Sequence, residues 1–261
     1  GKNYKEYLWP QPFDDCRTDT ANNQKMLGDI GFEANIIENH DQPRGSSLFI
    51  PKEDYGFYSV TALATIILCQ RGLPFLYQGQ EIGMCNREWK LEEFNDVETM
   101  SQYEICLKEG LSPEQALEIC ANHSRDNART PMQWSHETNA GFTSGEPWMP
   151  LNENYKEINV EDQEKEYGSV LNFYKRLIRF RKSEEYKEIL TYGTYEPRYM
   201  DQDHIFAYQR CLESKKLTLI CNFRVTLETE YENVVFVNYE QTTVIGADLQ
   251  LRPYEVVVLE N

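Results

Sequence analysis

At 261 residues the chain can bury a sizeable core in one large or two modest domains, and its 40% hydrophobic and 26% charged residues place it among folded globular proteins. A net charge of −17 argues against nucleic acid and against an anionic membrane surface, and no apolar run reaches the ~18 residues of a spanning helix. The seven cysteines, Cys16, Cys69, Cys85, Cys106, Cys120, Cys211 and Cys221, form no CxxC pair and no metal-ligand spacing, so they read as reduced thiols of a cytoplasmic protein with no metal and no cofactor.

Residues 1–30 are aromatic and polar, with Trp9-Pro10-Gln11-Pro12-Phe13 interrupting any regular element, and read as a connection into the strand after Gly31. Ala34-Asn35-Ile36-Ile37-Glu38 is an apolar, strand-like run. It opens into a loop at Asn39-His40-Asp41-Gln42-Pro43-Arg44, because Pro43 has no N–H and biases Gln42 away from helix. From Tyr55 to Arg71, Val60, Leu63, Ala64 and Ile67 fall at helical spacing, with Ile66 and Leu68 widening the stripe. That predicts a helix buried on most of its circumference, with Gly72 as its C-terminal stop. Pro74-Phe75-Leu76-Tyr77 then reads as a short buried strand, which makes strand, helix and strand one parallel crossover unit.

Asn86 to His123 is acidic and helical in pattern, and is expected to decorate the loop after that strand. Within it Ser112, Pro113 and Gln115 form a strong helix start. Arg125 to Pro150 lacks periodicity but carries enough Trp and Phe to argue for order. Tyr167 to Lys182 is amphipathic through Val170, Phe173, Tyr174, Leu177 and Ile178. After a boundary near Ser183 to Lys187, β runs at 204–208, 216–221, 234–237, 242–245 and 254–259 predict an antiparallel sandwich.

The chemistry gathers at the first loop. On spacing alone, a hydrogen-bonded turn accounts for it: His40 satisfied by a carbonyl, Asp41 forming an Asx-turn and Arg44 a surface charge. Likewise Asp126 is placed to close on Arg129 as a local salt bridge in Arg125-Asp126-Asn127-Ala128-Arg129.

Residues 39–44, however, resemble the fourth signature region of the α-amylase superfamily, glycoside hydrolase family 13, and more narrowly its oligo-1,6-glucosidase and α-glucosidase branch. Gly72 to Met84, Arg125 to Trp134 and Ala140 to Trp148 are similar to further stretches of that branch, in the same order. The resemblance runs from Gly31 onward. It implies an α/β plus all-β protein: the C-terminal part of a (β/α)8 TIM barrel over 1–184, with a helical insertion at about 86–123, then a β-sandwich over 185–261. It implies a retaining α-glucosidase acting on terminal α-1,6 or α-1,4 bonds of short oligosaccharides. Asp41 would be the transition-state stabiliser, His40 would bind sugar in the same subsite, Arg125 would hold the terminal glucose at a closed pocket end, and Arg129 would be substrate-binding with them. Arg44 would order the loop behind Asp41; Glu38 matches no catalytic position of the family and reads as a strand-end carboxylate, and Gln80 and Glu81 read as architectural.

Retaining hydrolysis needs a carboxylate nucleophile and a carboxylic acid ~5–5.5 Å apart. In the family both precede the His-Asp pair, and nothing before Gly31 matches their signatures. The expectation is therefore a chain inactive by itself, with an N-terminal half of the barrel as its partner and a small oligosaccharide as substrate. The calcium loop of many relatives also belongs to that earlier part. Ser135 departs from the branch, which usually has Asp there, and puts local loop bonding in question. Trehalose-6-phosphate hydrolase, or an isomerase or glucosyltransferase of the same family, is the alternative within the class. A non-catalytic barrel scaffold, like the amino-acid transporter heavy chains, is the alternative outside it.

Overall fold

The computed structural model describes residues 4–6, 9–223, 227–230, 233–241, 243–245 and 248–260. The helices are α1 (Phe13–Leu27), α2 (Gly45–Phe49), α3 (Phe57–Cys69), α4 (Val97–Lys108), α5 (Pro113–His123), α6 (Asp126–Arg129), α7 (Val160–Lys165), α8 (Val170–Lys182) and α9 (Lys187–Tyr192). The strands begin with β1 (Ala34–Asn35) and β2 (Leu73–Pro74), and continue with β3 (Thr194–Arg198), β4 (Ile205–Leu212) and β5 (Lys215–Asn222). After them come β6 (Leu227–Glu230), β7 (Asn233–Val237), β8 (Thr243–Ile245), β9 (Asp248–Leu251) and β10 (Val256–Glu260). The chain forms two compact units: Gly1–Pro12, Ile37–Tyr55 and Leu76–Asn172 make one, and Phe13–Ile36, Gly56–Phe75 and Phe173–Asn261 make the other.

In the second of these, β1 and β2 pair in parallel, Ala34 opposite Leu73 and Asn35 opposite Pro74, with α3 as the crossover. The parallel β/α unit expected of a barrel is thus present, but its strands are shorter than the apolar runs suggested. Leu73 and Phe75 are each more than half exposed, so the run at 74–77 is not the buried strand its apolarity predicted. Gly72 does not stop α3 either, since the helix ends at Cys69 with Gln70 as its cap. Gly72 instead holds φ +136° where a Cβ would lie 2.6 Å from Asn35 Oδ1 and also meet the Glu33 carbonyl, so only glycine lets β2 approach β1. The burial predicted for α3 holds: Leu63, Ala64, Ile66 and Leu68 are all enclosed, and each large aliphatic side chain among them contributes about 1.5–3 kcal/mol.

Residues 1–30 are not a connection. Phe13 to Leu27 is helical, and the apolar periodicity that would have revealed it is absent, because α1 buries only Arg17 and Gln24. Arg17 donates to the carbonyls of Gln202 and Ile205, both at 2.6 Å, and of Tyr199 at 3.2 Å. Gln24 Nε2 donates to the Arg71 carbonyl at 2.8 Å. The helix is anchored by polar side chains reaching backbone carbonyls.

The strands after α9 form two antiparallel sheets, ordered β3-β4-β5-β10-β7 and β6-β9-β8. Leu251 of β9 packs with Ile205, Ala207, Ile220, Val257 and Leu259 of the larger sheet, which gives the two-layered β architecture its core. Thr242, included in the predicted run at 242–245, lies outside the described residues. On β4, Tyr208 donates its hydroxyl to the Ile66 carbonyl at 2.8 Å. Two residues on, the Arg210 guanidinium is 1% exposed and donates to the carbonyls of Cys69, Leu190, Gly193 and Thr194 at 2.8–3.0 Å. Burial draws the Arg210 pKa down to about 10.

The other unit is built from short helices, turns and ordered loops. Its α5 starts as the sequence predicts: the Ser112 hydroxyl accepts from the Gln115 amide at 3.2 Å, the Gln115 side chain accepts from the Ser112 amide at 3.0 Å, and Pro113 occupies the first turn. One small core joins Trp89, Phe94, Cys120 and Met149, with Trp89 stacked on Phe94, and another joins Ile82, Met84, Met132 and Leu171.

Candidate active site

The loop after Glu38 is set from below by one buried ion pair. Arg44 Nη1 lies 2.7 Å from Glu38 Oε1, and both side chains are sealed from solvent. Glu38 Oε2 accepts from the Gly45 amide at 2.8 Å. Arg44 uses its other donors on carbonyls, Nη1 to Gln78 at 2.7 Å and Nε to Asn127 at 3.2 Å. Burial pushes the Glu38 carboxyl above its ordinary range, and Arg44 opposes that push. Arg44 is therefore the buried fastener of its own loop, the loop at Gln78 and α6, and not a surface charge. Gly79 makes room for it: at φ +92° a Cβ would come within 2.9 Å of Arg44 Nη1. Glu81 Oε2 accepts from the Gly79 amide at 2.8 Å.

Above that fastener the turn presents its polar side chains to solvent. Asn39 makes the Asx-turn, its Oδ1 accepting from the Asp41 amide at 2.8 Å, which leaves the Asp41 carboxylate free for other partners. Arg125 Nη1 reaches Asp41 Oδ1 at 3.2 Å, and Arg129 Nη2 reaches the same oxygen at 3.0 Å. His40 Nε2 is 3.3 Å from the other oxygen, Oδ2, and Arg129 Nε donates to the His40 carbonyl at 2.9 Å. The structure thus brings His40, Asp41, Arg125 and Arg129 together, with Asp41 just over half exposed. The local pair of Asp126 with Arg129 does not form. Asp126 Oδ2 instead accepts from the amides of Asn95 and Asp96 at 2.8 and 2.9 Å.

One residue of the constellation was not anticipated. Asp96, buried, accepts from Arg125 Nε at 2.9 Å and Nη2 at 2.7 Å, both on Oδ1. The sequence signal for Asp96 was its place before α4, where Asp caps helix N-termini. Nothing in the spacing pointed 29 positions ahead to Arg125. Burial raises the Asp96 carboxyl, but the Arg125 guanidinium and the Thr99 hydroxyl outweigh it and the net shift is downward. The same contact, first among its causes, raises the pKa of Arg125. Among the described residues no group of three His, Cys, Asp or Glu side chains is placed to hold a metal ion, and no helix is long and apolar enough to cross a membrane.

An exposed carboxylate fixed by two guanidiniums and a histidine can bind sugar hydroxyls and can stabilise positive charge developing nearby. The family model "Alpha amylase, catalytic domain" matches residues 2–193. The chain belongs to the alpha-amylase family. Among curated members it is 37% identical to the oligo-1,6-glucosidase of Halalkalibacterium halodurans, over 99% of this chain and 47% of that protein. It is 35% identical to the trehalose-6-phosphate hydrolase of Escherichia coli K12, over 90% and 43% respectively. Among solved alpha-amylase family structures, isomaltulose synthase SmuA from Protaminobacter rubrum superposes with a TM-score of 0.86 at 33% identity, covering 95% of this chain and 46% of that one. The chain thus spans about half the length of the relatives it matches. The fold class expected from the family resemblance, the later part of a (β/α)8 barrel followed by an antiparallel β domain, is the one these structural relatives support.

Proposed function

We propose that the chain is the later part of a retaining α-glucosidase that hydrolyses terminal α-1,6 or α-1,4 glucosyl bonds of short oligosaccharides. The observation that carries this reading is Asp41 Oδ1 shared by Arg125 and Arg129, with His40 on Oδ2, in a chain so similar to oligo-1,6-glucosidases. In this reading Asp41 stabilises the cationic sugar of the transition state, while His40, Arg125 and Arg129 hold the terminal sugar in a pocket closed at that end. Residues 1–184 would belong to the barrel and 185–261 to its C-terminal β domain; the family match ends close to that division, at residue 193, while the β strands share one compact unit with residues 13–36 and 56–75. The seven free thiols favour a cytoplasmic setting.

The chain by itself is proposed to be inactive, with the N-terminal half of a barrel as its partner. The carboxyls near Asp41 that the sequence offers are already engaged: Glu38 with Arg44 and the Gly45 amide, and Asp96 with Arg125. One stabilising carboxylate supplies only a fraction of the more than ~8 kcal/mol by which enzymes lower such barriers. A second reading, trehalose-6-phosphate hydrolysis, sugar isomerisation or glucosyl transfer, draws on relatives named trehalose-6-phosphate hydrolase and isomaltulose synthase.

Two measurements test these claims. Purified chain incubated with isomaltose and with a chromogenic α-glucoside is expected to release no glucose or dye. Release that vanishes in Asp41→Asn would show that the chain carries its own catalytic pair. A chimera carrying this chain in place of the matching half of the H. halodurans oligo-1,6-glucosidase is expected to cleave isomaltose and to lose that activity in Asp41→Asn. A folded chimera whose activity is unchanged by Asp41→Asn sinks the proposed role of Asp41.

A further inference from the structure

Arg125 carries two jobs on one planar group. Its Nε and Nη2 both close on Asp96 Oδ1, at 2.9 and 2.7 Å, which leaves Nη1 to reach Asp41. The carboxylate that grips it is held from behind. Asp96 Oδ2 accepts from the Thr99 hydroxyl at 2.8 Å and the Thr99 amide at 3.2 Å, and Oδ1 accepts from the Glu98 amide at 3.4 Å. The Thr99 hydroxyl also meets the Ser124 hydroxyl at 2.8 Å, and Ser124 is the residue before Arg125. The cap of α4 and the backbone that carries Arg125 are thus tied into one buried polar cluster.

A long arginine side chain loses up to about 2 kcal/mol of rotamer freedom when fixed, so an arginine already fixed before a sugar arrives binds it more tightly than one that must be ordered on binding. We propose that Asp96 is the positioning residue of the sugar pocket: it holds Arg125 with Nη1 aimed at Asp41, and through it the acidic insertion helix α4 sets the pocket's grip on the terminal sugar. The proposal rests on the sugar-binding reading above for its consequence, but its geometry stands on Asp96 and Arg125 alone. It gives α4 a role that a surface decoration would not have.

The experiment uses the full chain and Asp96→Asn, which retains a side-chain oxygen able to cap α4 while losing the negative charge. The Nε–H signal of Arg125 is assigned in 15N NMR by its disappearance in Arg125→Lys. Hydrogen exchange at that proton is expected to be at least about tenfold faster in Asp96→Asn, as befits the loss of a charge-assisted hydrogen bond, while the Glu98 and Thr99 amides stay protected. Unchanged exchange at the Arg125 Nε–H overturns the proposal. Thr99→Val, which removes only the hydroxyl behind Asp96, is expected to quicken the same exchange by a smaller factor and serves if the Asn variant unfolds. No acceleration in Thr99→Val then overturns the proposal.

Titration with isomaltose supplies the readout that simple destabilisation would not mimic. Asp96→Asn is expected to weaken binding about as much as Arg125→Ala, and the double variant no more than Arg125→Ala alone. Additive losses overturn the positioning role. A wild-type chain that binds no isomaltose counts against the functional reading, and the Nε–H exchange still decides the positioning claim.

Discussion

Two carboxylates three positions apart, Glu38 and Asp41, each meet arginine, and they meet it in opposite surroundings. Glu38 and Arg44 are sealed, paired one to one, and surrounded by carbonyls and an amide that use their remaining capacity. Asp41 stands in solvent with two guanidiniums on one oxygen and a histidine at the other. The buried pair has no capacity left over, so all it can do is hold loops in place. The exposed cluster has donors to spare, and that spare capacity is what a ligand requires. The same two residue types build the floor in one case and offer a binding surface in the other, and burial makes the difference.

Arg44→Ala gives the largest expected effect, since it leaves a buried carboxylate without its partner. A loss of about 3–5 kcal/mol is expected in urea unfolding at neutral pH. Replacing both partners together, Glu38→Leu with Arg44→Met, is expected to recover most of that loss; failure to recover would mean that the carbonyl contacts of Arg44 outweigh the ion pair. Asp41→Asn tests the exposed side. It is expected to change stability by less than about 1 kcal/mol, yet to cost the active chimera on the order of 2.7–4 kcal/mol in kcat. A large stability loss with unchanged turnover would make the exposed cluster a second floor and erase the contrast.

Gly79→Ala probes the packing around Arg44. With φ at +92° and Arg44 Nη1 within 2.9 Å of the new Cβ, a destabilisation of about 1–3 kcal/mol is expected in the same unfolding assay. The smallest effects are the pH signatures of the two buried carboxyls, and they have opposite sign. Asp96 has its folded pKa lowered, so its contribution is fully present above the ordinary carboxylate range and is lost as pH falls through the folded value. Glu38 has its folded pKa raised, so its contribution is greatest in acid and declines as pH rises through the carboxylate range. Unfolding midpoints between pH 2.5 and 6 should therefore lose slope in Asp96→Asn and gain it in Glu38→Gln. Slopes of the same sign would break the distinction.

How much the sequence disclosed depends on how far periodicity can carry. The apolar stripe of α3 and the Ser-Pro-x-Gln start of α5 are local signals, and both elements formed where those signals placed them. The polar helix α1 went unseen because its anchors, Arg17 and Gln24, bond to carbonyls that are distant in sequence. The runs at 34–38 and 74–77 promised longer strands than form, since apolar composition marks what prefers burial and not the pairing that a strand also needs. At the candidate site, two family motifs point to His40, Asp41, Arg125 and Arg129, and the four side chains lie together. Asp96 was missed as a partner because a helix cap and a guanidinium clamp leave the same single Asp in the sequence.

Tyr208 and Arg210 lie two apart on β4 and therefore share one face of the strand. Were β4 to slip by a single residue against its neighbours, both would turn to the opposite face. The tyrosine would lose the Ile66 carbonyl, and the guanidinium would leave its four carbonyl partners as an unmatched interior cation. The sheet thus carries its own proofreading device: a misaligned version is penalised by charge as well as by packing, and the penalty comes mainly from the carbonyls of α3, α9 and Gly193, with Thr194 of β3 beside them.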